Sequence, residues 1–418
     1  MHLLKKILRH VTPSFAISLY HFGLAFTGAV RYRFPAKEIM VIGVTGTKGK
    51  SSTTEYINAI FEAAGKITAV SNSIRFKVGT TERRNTTRMS MPGRFGMQSF
   101  LREAVDAGCH VAILEMTSEG AAQSRHRFIA LDALVFTNLA PEHIESHGSL
   151  ERYIAAKLSI GEELQRSTKR PRILVANKHD PITKQFLALE TDQAITFSLG
   201  DAQPWALASS EGSFTFQGAV VPVHFPGEFS LQNALAAAEV SSALGISTEA
   251  IVHGIDSLER IPGRAEKVEV GQPFSLYVDY AHNPSSLEAL FASFPNQRKI
   301  CIIGSTGGGR DTWKRPEMGR IAGEMCDEII ITNEDPYDED PIAIINAIAA
   351  GVQAKKPQIC IDRREAIALG ISMAHPGDVV LLTGKGTDPN IRVKGGVGIP
   401  WSDFEVAKEE LLKRQAVQ

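Results

Sequence analysis

The sequence predicts an α/β protein built as two units. A parallel sheet opening on a glycine-rich loop comes first, then a Rossmann-like α/β layer, with a short helical segment in front. Three observations carry this. Short apolar runs rich in β-branched residues alternate with segments of helical period. One run, residues 39–44 (IMVIGV), leads directly into a glycine- and lysine-rich loop. The alternation breaks off for short β-like pieces at 194–225 and resumes beyond Ile261-Pro262-Gly263.

Residues 1–38 carry Lys5, Lys6, Arg9 and His10, then an apolar stretch over 15–30. That stretch is short for a membrane span and contains His21, and no small-residue cleavage site follows it. It reads as an amphipathic helix, docked on its own protein or lying on a membrane surface. Strands of the first sheet are expected at 39–44, 111–116, 133–139 and 172–177. Over 53–64, Tyr56, Ile57, Ile60, Phe61 and Ala64 share one helical face, and Gly65 ends the helix. Continuously apolar strands joined by helices indicate a parallel sheet covered on both sides. The segment 194–225 reads as an antiparallel excursion, followed by a helix over 230–244 closed by Gly245. The second series has strands at 275–280, 299–305, 328–333 and 378–383. The division expected is 1–38, 39–262 and 263–418.

Forty-five Lys and Arg balance 46 Asp and Glu, so no global basic field points to nucleic acid. Cys109, Cys301, Cys326 and Cys360 form no CxxC pair and fit neither a zinc site nor a disulfide framework. Cys301 and Cys360 lie in apolar strand-like runs, and reduced cysteines of a cytoplasmic protein are expected.

The chemistry starts at Gly43-Val44-Thr45-Gly46-Thr47-Lys48-Gly49-Lys50-Ser51-Ser52. Glycines let backbone amides bend around phosphate oxygens, and the following helix N-terminus adds positive potential. Lys50 is suited to the β- and γ-phosphates and the Ser51 hydroxyl to Mg²⁺. Spacing departs from a strict G-x4-GK[ST], because position 44 is Val.

This loop and the motifs after it resemble the Mur ligase family, closest to its MurE-type branch, from about residue 39 to the C-terminus. That resemblance implies an ATP-dependent amide ligase that activates a carboxylate as an acyl phosphate and couples it to an amino acid in peptidoglycan stem-peptide synthesis. It implies ATP contacts at Gly46, Thr47, Lys48, Gly49, Lys50, Ser51, Ser52, Asn138, Asn233, Arg264 and Asp279. Asn138 lies in Thr137-Asn138-Leu139, Asn233 in FSLQNALAA, Arg264 in PGR and Asp279 in the signature-like DYAHNP. Lys50, Glu115, His143 and Lys157 take the catalytic positions. Glu115, which follows an apolar run, matches the family's Mg²⁺-binding glutamate, and a carboxylate suits that hard cation. His143, in EHIESHG with Glu142 in place of the usual Asp, matches a second metal ligand. Lys157, in YIAAK, matches the lysine that the family carbamylates; the residues alone read as a surface lysine with a snorkelling stem. The implied metal set is thus Ser51, Glu115, His143 and carbamylated Lys157.

For the acceptor, an acyl peptide such as a UDP-muramyl peptide, the resemblance implies Thr86, Thr87, Thr117, Gln123 and Arg125. For the free amino acid it implies Arg310, in GGRD, with Asp335, Pro336 and Tyr337, in NEDPY, and Gly384 and Asp388, in GKGTD. Arg310 would fork onto an α-carboxylate. Tyr337 stands where diaminopimelate-using enzymes carry an arginine, so lysine or another diamino acid is as well matched as diaminopimelate. Only 38 residues precede the first strand, where the MurE type has a UDP-binding domain, so a different mode of acceptor capture is expected. The expected protein is a cytoplasmic monomer, with peripheral membrane contact through residues 1–38. Two rivals are a folylpolyglutamate synthase-like ligase and a non-catalytic ATP-binding cell-wall scaffold. Asn177-Lys178-His179-Asp180 has the NKxD spacing of guanine-selecting proteins, but the surrounding motifs speak for a ligase.

Overall fold

The computed structural model describes residues 14–417 apart from Arg88, His143, Arg310 and Ala354. The expectations for His143, Arg310 and the basic residues before position 14 therefore lie outside the described residues.

A helix, α1 (Ser14–Arg31), precedes the first sheet, whose elements follow as β1 (Met40–Thr45), α2 (Lys50–Ala63), β2 (Thr68–Ser71), β3 (Arg75–Val78), β4 (Thr81–Arg84), α3 (Arg94–Asp106), β5 (Val111–Met116), β6 (Ala133–Phe136), α4 (Leu150–Gln165), β7 (Ile173–Asn177) and β8 (Gln193–Phe197). Its eight strands run in the order β4-β3-β2-β5-β1-β6-β7-β8. All pairings from β2 to β8 are parallel, and β3 and β4 add an antiparallel edge. The four strands expected from sequence are present; β2, β3 and β4 were not expected, and β8, expected within the antiparallel excursion at 194–225, instead pairs parallel with β7. The polar TERR of β4 is exposed at every position and carries no apolar alternation.

Register fixes what meets at the carboxyl edge. Val44 pairs with Glu115, and Thr45 pairs with both Met116 and Phe136. The loop after β1 therefore emerges beside Glu115 and the Thr137-Asn138 turn. Helix α2 backs this edge with Tyr56, Ile57 and Ile60 buried, each large side chain worth about 1.5–3 kcal/mol of transfer free energy.

The excursion is a three-stranded antiparallel sheet of β9 (Ala206–Leu207), β10 (Gly212–Phe216) and β11 (Ala219–Val223), followed by α5 (Glu228–Ala243) and α6 (Thr248–Asp256). Gly254 lets α6 touch α2: a Cβ there would stand 2.4 Å from the Ile60 Cα.

The second sheet comprises β12 (Glu266–Lys267), β13 (Ser275–Val278), β14 (Lys299–Ile303), β15 (Glu328–Ile331), β16 (Gln358–Ile359) and β17 (Val379–Leu382), in the order β12-β13-β17-β14-β15-β16. It is parallel except for β12. Its helices are α7 (Pro284–Ala292), α8 (Lys314–Met325), α9 (Pro341–Ala349), α10 (Arg363–Met373) and α11 (Asp403–Val417), with a hairpin of β18 (Asn390–Val393) and β19 (Val397–Pro400) before α11. Cys301 of β14 and Cys326 after α8 form a disulfide, which corrects the expectation of a reduced Cys301 and of no disulfide framework; Cys109 and Cys360 are free thiols. Among the described residues no helix is long and apolar enough to cross a membrane.

Candidate active site

Helix α2 begins at Gly49, which takes a left-handed φ of 79° with no side chain capping the first turn. A Cβ at Gly49 would lie 2.1 Å from the Asn233 Oδ1 of α5, and one at Gly46 would lie 2.0 Å from the Thr137 Oγ1. Both positions therefore require glycine. The loop is fixed from the β6 side: Thr47 N donates to the Asn138 carbonyl (2.8 Å), Lys48 N to the Asn138 Oδ1 (3.0 Å), and Thr137 Oγ1 to the Lys48 carbonyl (2.7 Å). The Thr47 hydroxyl also meets the Tyr153 hydroxyl of α4 at 2.7 Å. What results is a rigid concave backbone at an uncapped helix N-terminus, the geometry that accepts phosphate. Lys50 lies across the loop, its Nζ donating to the Thr47 carbonyl at 2.9 Å. Ser52 stands half-buried on the first turn of α2.

Glu115 is buried at the end of β5 and gathers oxygen groups around it. Ser51 Oγ and Ser73 N donate to its Oε2 at 2.8 and 2.9 Å, and Ser90 Oγ donates to its Oε1 at 2.8 Å. Ser73 and Ser90 escaped the sequence reading, for they sit in segments with no recognisable pattern. Arg264, from the connection between the sheets, reaches this cluster: its Nη2 lies 3.0 Å from Ser73 Oγ and 3.3 Å from Ser51 Oγ. Asp279 holds that connection in place by accepting from the amides of Ala265 (2.6 Å) and Ala281 (2.7 Å), and burial raises its pKa.

Lys157 is not a surface lysine. It is 2% exposed, donates to the Gly46 carbonyl at 2.5 Å, and stands 4.8 Å from the Tyr153 ring centroid. Burial, with Lys50 as a second cause, pushes its pKa well below the ordinary lysine value. Burial likewise takes Lys48 down to about 8, against the pull of Glu142 and Glu288. Lys48 hydrogen-bonds Ser285, and Glu142 accepts from Asn283 Nδ2 (2.8 Å) and meets His282 Nε2 (3.0 Å). The phosphate loop is thus tied to the DYAHNP segment of the second sheet.

Among the described residues no three His, Cys, Asp or Glu side chains converge as a metal cage. Ser51 and Glu115 nevertheless offer two hard oxygens 2.8 Å apart beside the phosphate cradle. Such a pair fits Mg²⁺, which binds through one or two protein oxygens plus phosphates and keeps its waters.

The residues expected on the acceptor side lie in two segments, one after β4 and one after β5. Thr117 caps the short helix Ser118–Ala122, and Arg125 Nη2 donates to the Gln123 Oε1 at 2.9 Å. Arg94 donates to the Gln123 carbonyl at 2.9 Å. Thr86 and Thr87 lie exposed after β4, with Thr87 Oγ1 on the buried Asn85. In the second sheet, Asp335 and Asp388 both pair with the fully buried Lys385, at 2.8 and 3.3 Å. Pro336 is buried against Gly307, and Tyr337 takes a φ of 53° with its amide on the Arg392 carbonyl. A Cβ at Gly384 would fall 2.4 Å from the Glu334 Oε2. That Oε2 and the Asp311 Oδ1 are buried without a hydrogen-bond partner, while Thr306 donates to the Glu334 Oε1 at 2.7 Å. The sequence reading passed over Glu334, Asp311 and Lys385.

The NKxD-like segment has a structural role. Asp180 accepts from the Leu139 amide (2.6 Å), Asn177 donates to the Thr137 carbonyl (2.9 Å), and Lys178 pairs with Asp201.

Residues 44–241 match the Mur ligase middle domain, and residues 263–386 match the glutamate ligase domain of Mur ligases. The UDP-N-acetylmuramyl-tripeptide synthetase of Roseiflexus sp. (strain RS-1) is 35% identical, with 96% of this chain and 84% of that protein covered. The UDP-N-acetylmuramoyl-L-alanyl-D-glutamate–2,6-diaminopimelate ligase of Gloeobacter violaceus is 36% identical, over 92% of this chain and 80% of that protein. Among solved structures, the Mycobacterium tuberculosis folylpolyglutamate synthase complexed with ADP and AMPPCP shares the fold at a TM-score of 0.72 and 17% identity, covering 90% of this chain and 97% of that one.

Proposed function

The chain belongs to the Mur ligase family, and we propose that it joins an amino acid bearing a side-chain ammonium to the free carboxylate of an acyl peptide of the UDP-muramyl class. It is an ATP-dependent amide ligase of the MurE type. The observation that carries the reading of its site is the contact of Arg264 with Ser51 and Ser73, beside Glu115. It joins a phosphate cradle on one sheet to the connection that bears the other.

In this reading residues 39–262 form the ATP-binding unit, 263–418 the amino-acid unit, and 1–38 a helical segment. Residues 46–52 and Lys50 grip the phosphates, with Asn138, Asn233, Arg264 and Asp279 completing the nucleotide site. Ser51, Glu115, His143 and a carbamylated Lys157 would hold Mg²⁺, which when bound would supply Lewis-acid neutralisation of phosphate charge. A lysine held neutral by burial keeps its nitrogen lone pair available to CO₂, and the Lys157 environment favours that form. Thr86, Thr87, Thr117, Gln123 and Arg125 orient the acceptor. Its carboxylate, a poor electrophile, takes the terminal phosphoryl group while Lys50 and the loop amides stabilise the charge that develops. Arg310 and the Asp335–Tyr337 segment present the amine, which attacks the acyl phosphate and releases phosphate. Contacts between the two sheets exclude water, which would otherwise hydrolyse the activated acid.

The ammonium assignment rests on Glu334 and Asp311, each of which has one buried carboxylate oxygen, Oε2 and Oδ1, without a hydrogen-bond partner. A buried acceptor oxygen lacking a hydrogen bond costs free energy, which a bound ammonium would offset.

The test is a matrix of amino acids against acyl peptides, with and without a UDP-sugar, followed by phosphate release. Release should require both a diamino acid and a muramyl-type peptide, and Lys50→Ala should abolish it. Turnover with folate and glutamate alone, or unchanged turnover in Lys50→Ala, would sink the proposal.

A further inference from the structure

We propose that the outward face of α1 docks on an anionic lipid bilayer. Helix α1 is apolar on two sides. Ala25 and Ala29 are buried, and a Cβ on Gly28 would sit 3.5 Å from the backbone of Arg94 and Phe95 on α3. This side binds the helix to its own protein, as one of the two sequence readings had it. Leu19, Phe22, Phe26 and Val30 recur at helical spacing on the other side and are 67, 44, 47 and 49% exposed. Phe128, held at a positive φ of 63°, brings its ring 5.2 and 5.5 Å from those of Phe22 and Phe26 and broadens the stripe into an aromatic ridge. A surface helix normally presents polar residues to water, so an outward apolar stripe needs another cover.

Charge identifies the cover. The first 37 residues hold six of the chain's 45 Lys and Arg and none of its 46 Asp and Glu. Arg31, Arg33 and Lys37 are exposed at and just beyond the C-terminal end of the stripe, and Lys5, Lys6 and Arg9 precede the helix in sequence. Basic residues that flank an apolar stripe in the sequence suit a continuous anionic surface, with rings entering the acyl boundary and cations meeting headgroups. Among the described residues this helix, like the others, is not long and apolar enough to cross a membrane.

The placement would have a consequence for the acceptor. Leu19 and Phe22 share a cavity of about 860 Å³ with Ala121, Ala122 and Ser124, which flank Gln123. Arg94, which contacts His21 of α1, also donates to the Gln123 carbonyl. A protein resting on α1 holds this groove at the lipid surface, whichever acceptor it takes.

The experiment is co-sedimentation of the full chain with phosphatidylcholine vesicles, with and without phosphatidylglycerol, at low and high salt. Binding should be at least roughly tenfold tighter with phosphatidylglycerol and should weaken with salt, since each basic residue near such a surface is worth about fivefold. Phe26→Glu/Val30→Glu, both outside that groove, should lose that binding while ligase turnover in solution stays at the wild-type level. Absent binding, or binding indifferent to phosphatidylglycerol, would overturn the proposal. So would a double variant that binds like wild type, or a wild-type dimer in sedimentation velocity that the double variant abolishes. Should the double variant fail to fold, the lipid and salt comparisons on the wild type decide alone.

Discussion

Replacing Glu334 by Gln separates a ligand-binding charge from a structural one. Glu334 is 3% exposed; its Oε1 is held by the Thr306 hydroxyl at 2.7 Å and its Oε2 by nothing. In the free protein the lone buried oxygen is a liability of about 1–3 kcal/mol, so a neutral isostere should leave the melting temperature unchanged or raise it. With the amino acid bound, the same oxygen would accept a charge-assisted hydrogen bond worth about 1.5–3 kcal/mol. Glu334→Gln should therefore raise the KM for the diamino acid by roughly 10- to 150-fold, with a smaller effect on kcat. The assay is initial-rate phosphate release against amino-acid concentration at saturating ATP and acceptor, beside thermal melts of both proteins. An amino acid without a distal amine should show no such KM change. Equal KM values for the two proteins, or a destabilised variant that loses kcat alike for every amino acid, would refute the reasoning.

Three further outcomes follow from the same geometry. Lys157→Ala should lose most turnover and regain part of it with small carboxylic acids, and ¹³C-bicarbonate should label a carbamate in the wild type alone; no rescue and no label would remove the carbamate. His126 is 2% exposed, and burial, then Arg127 and Arg166, lowers its pKa to about 3 from an ordinary 6.5. The unfolded chain then binds the extra proton first, so stability is full above pH 6.5 and falls as pH drops toward 3, by up to about 4–5 kcal/mol. His126→Leu should flatten the acid side of the melting-temperature profile, and an unchanged slope would count against it. Gly254→Ala would press a methyl group onto the Ile60 backbone and should cost about 1–3 kcal/mol or more in urea unfolding, leaving kcat per folded molecule unaltered.

Legibility followed the kind of interaction. Strands β1, β5, β6 and β7 were readable because central parallel strands are apolar throughout, and the phosphate loop because glycine is forced at Gly46 and Gly49. β3 and β4 were not, because an edge pairing of polar residues is set by the neighbouring strand rather than by its own pattern. Lys157 looked like a surface lysine in isolation; only the packing of α4 against the loop shows it buried under the Gly46 carbonyl. Asp388 looked like a free acid for a ligand, yet Lys385 reaches it from three residues away while also pairing Asp335. Glu334 carried no signal at all, since an unmet hydrogen bond exists only in three dimensions.

The junction between the two sheets decides how such a site can work. Its hydrogen bonds and ion pairs include Lys48 with Ser285, Glu142 with His282 and Asn283, Glu145 with the Asp311 amide, Arg264 with Ser51 and Ser73, and Arg84 with the Thr387 carbonyl. Water can replace each of these at a net cost of about 1 kcal/mol, unlike an apolar core. Contacts of this kind would let the two sheets part without opening an apolar core. A phosphoryl group bound on the loop and an amine bound near Glu334 would each add charge-assisted contacts that bridge the same gap. Closure would then depend on having both reactants present, which is the condition under which an acyl phosphate survives long enough to meet its amine.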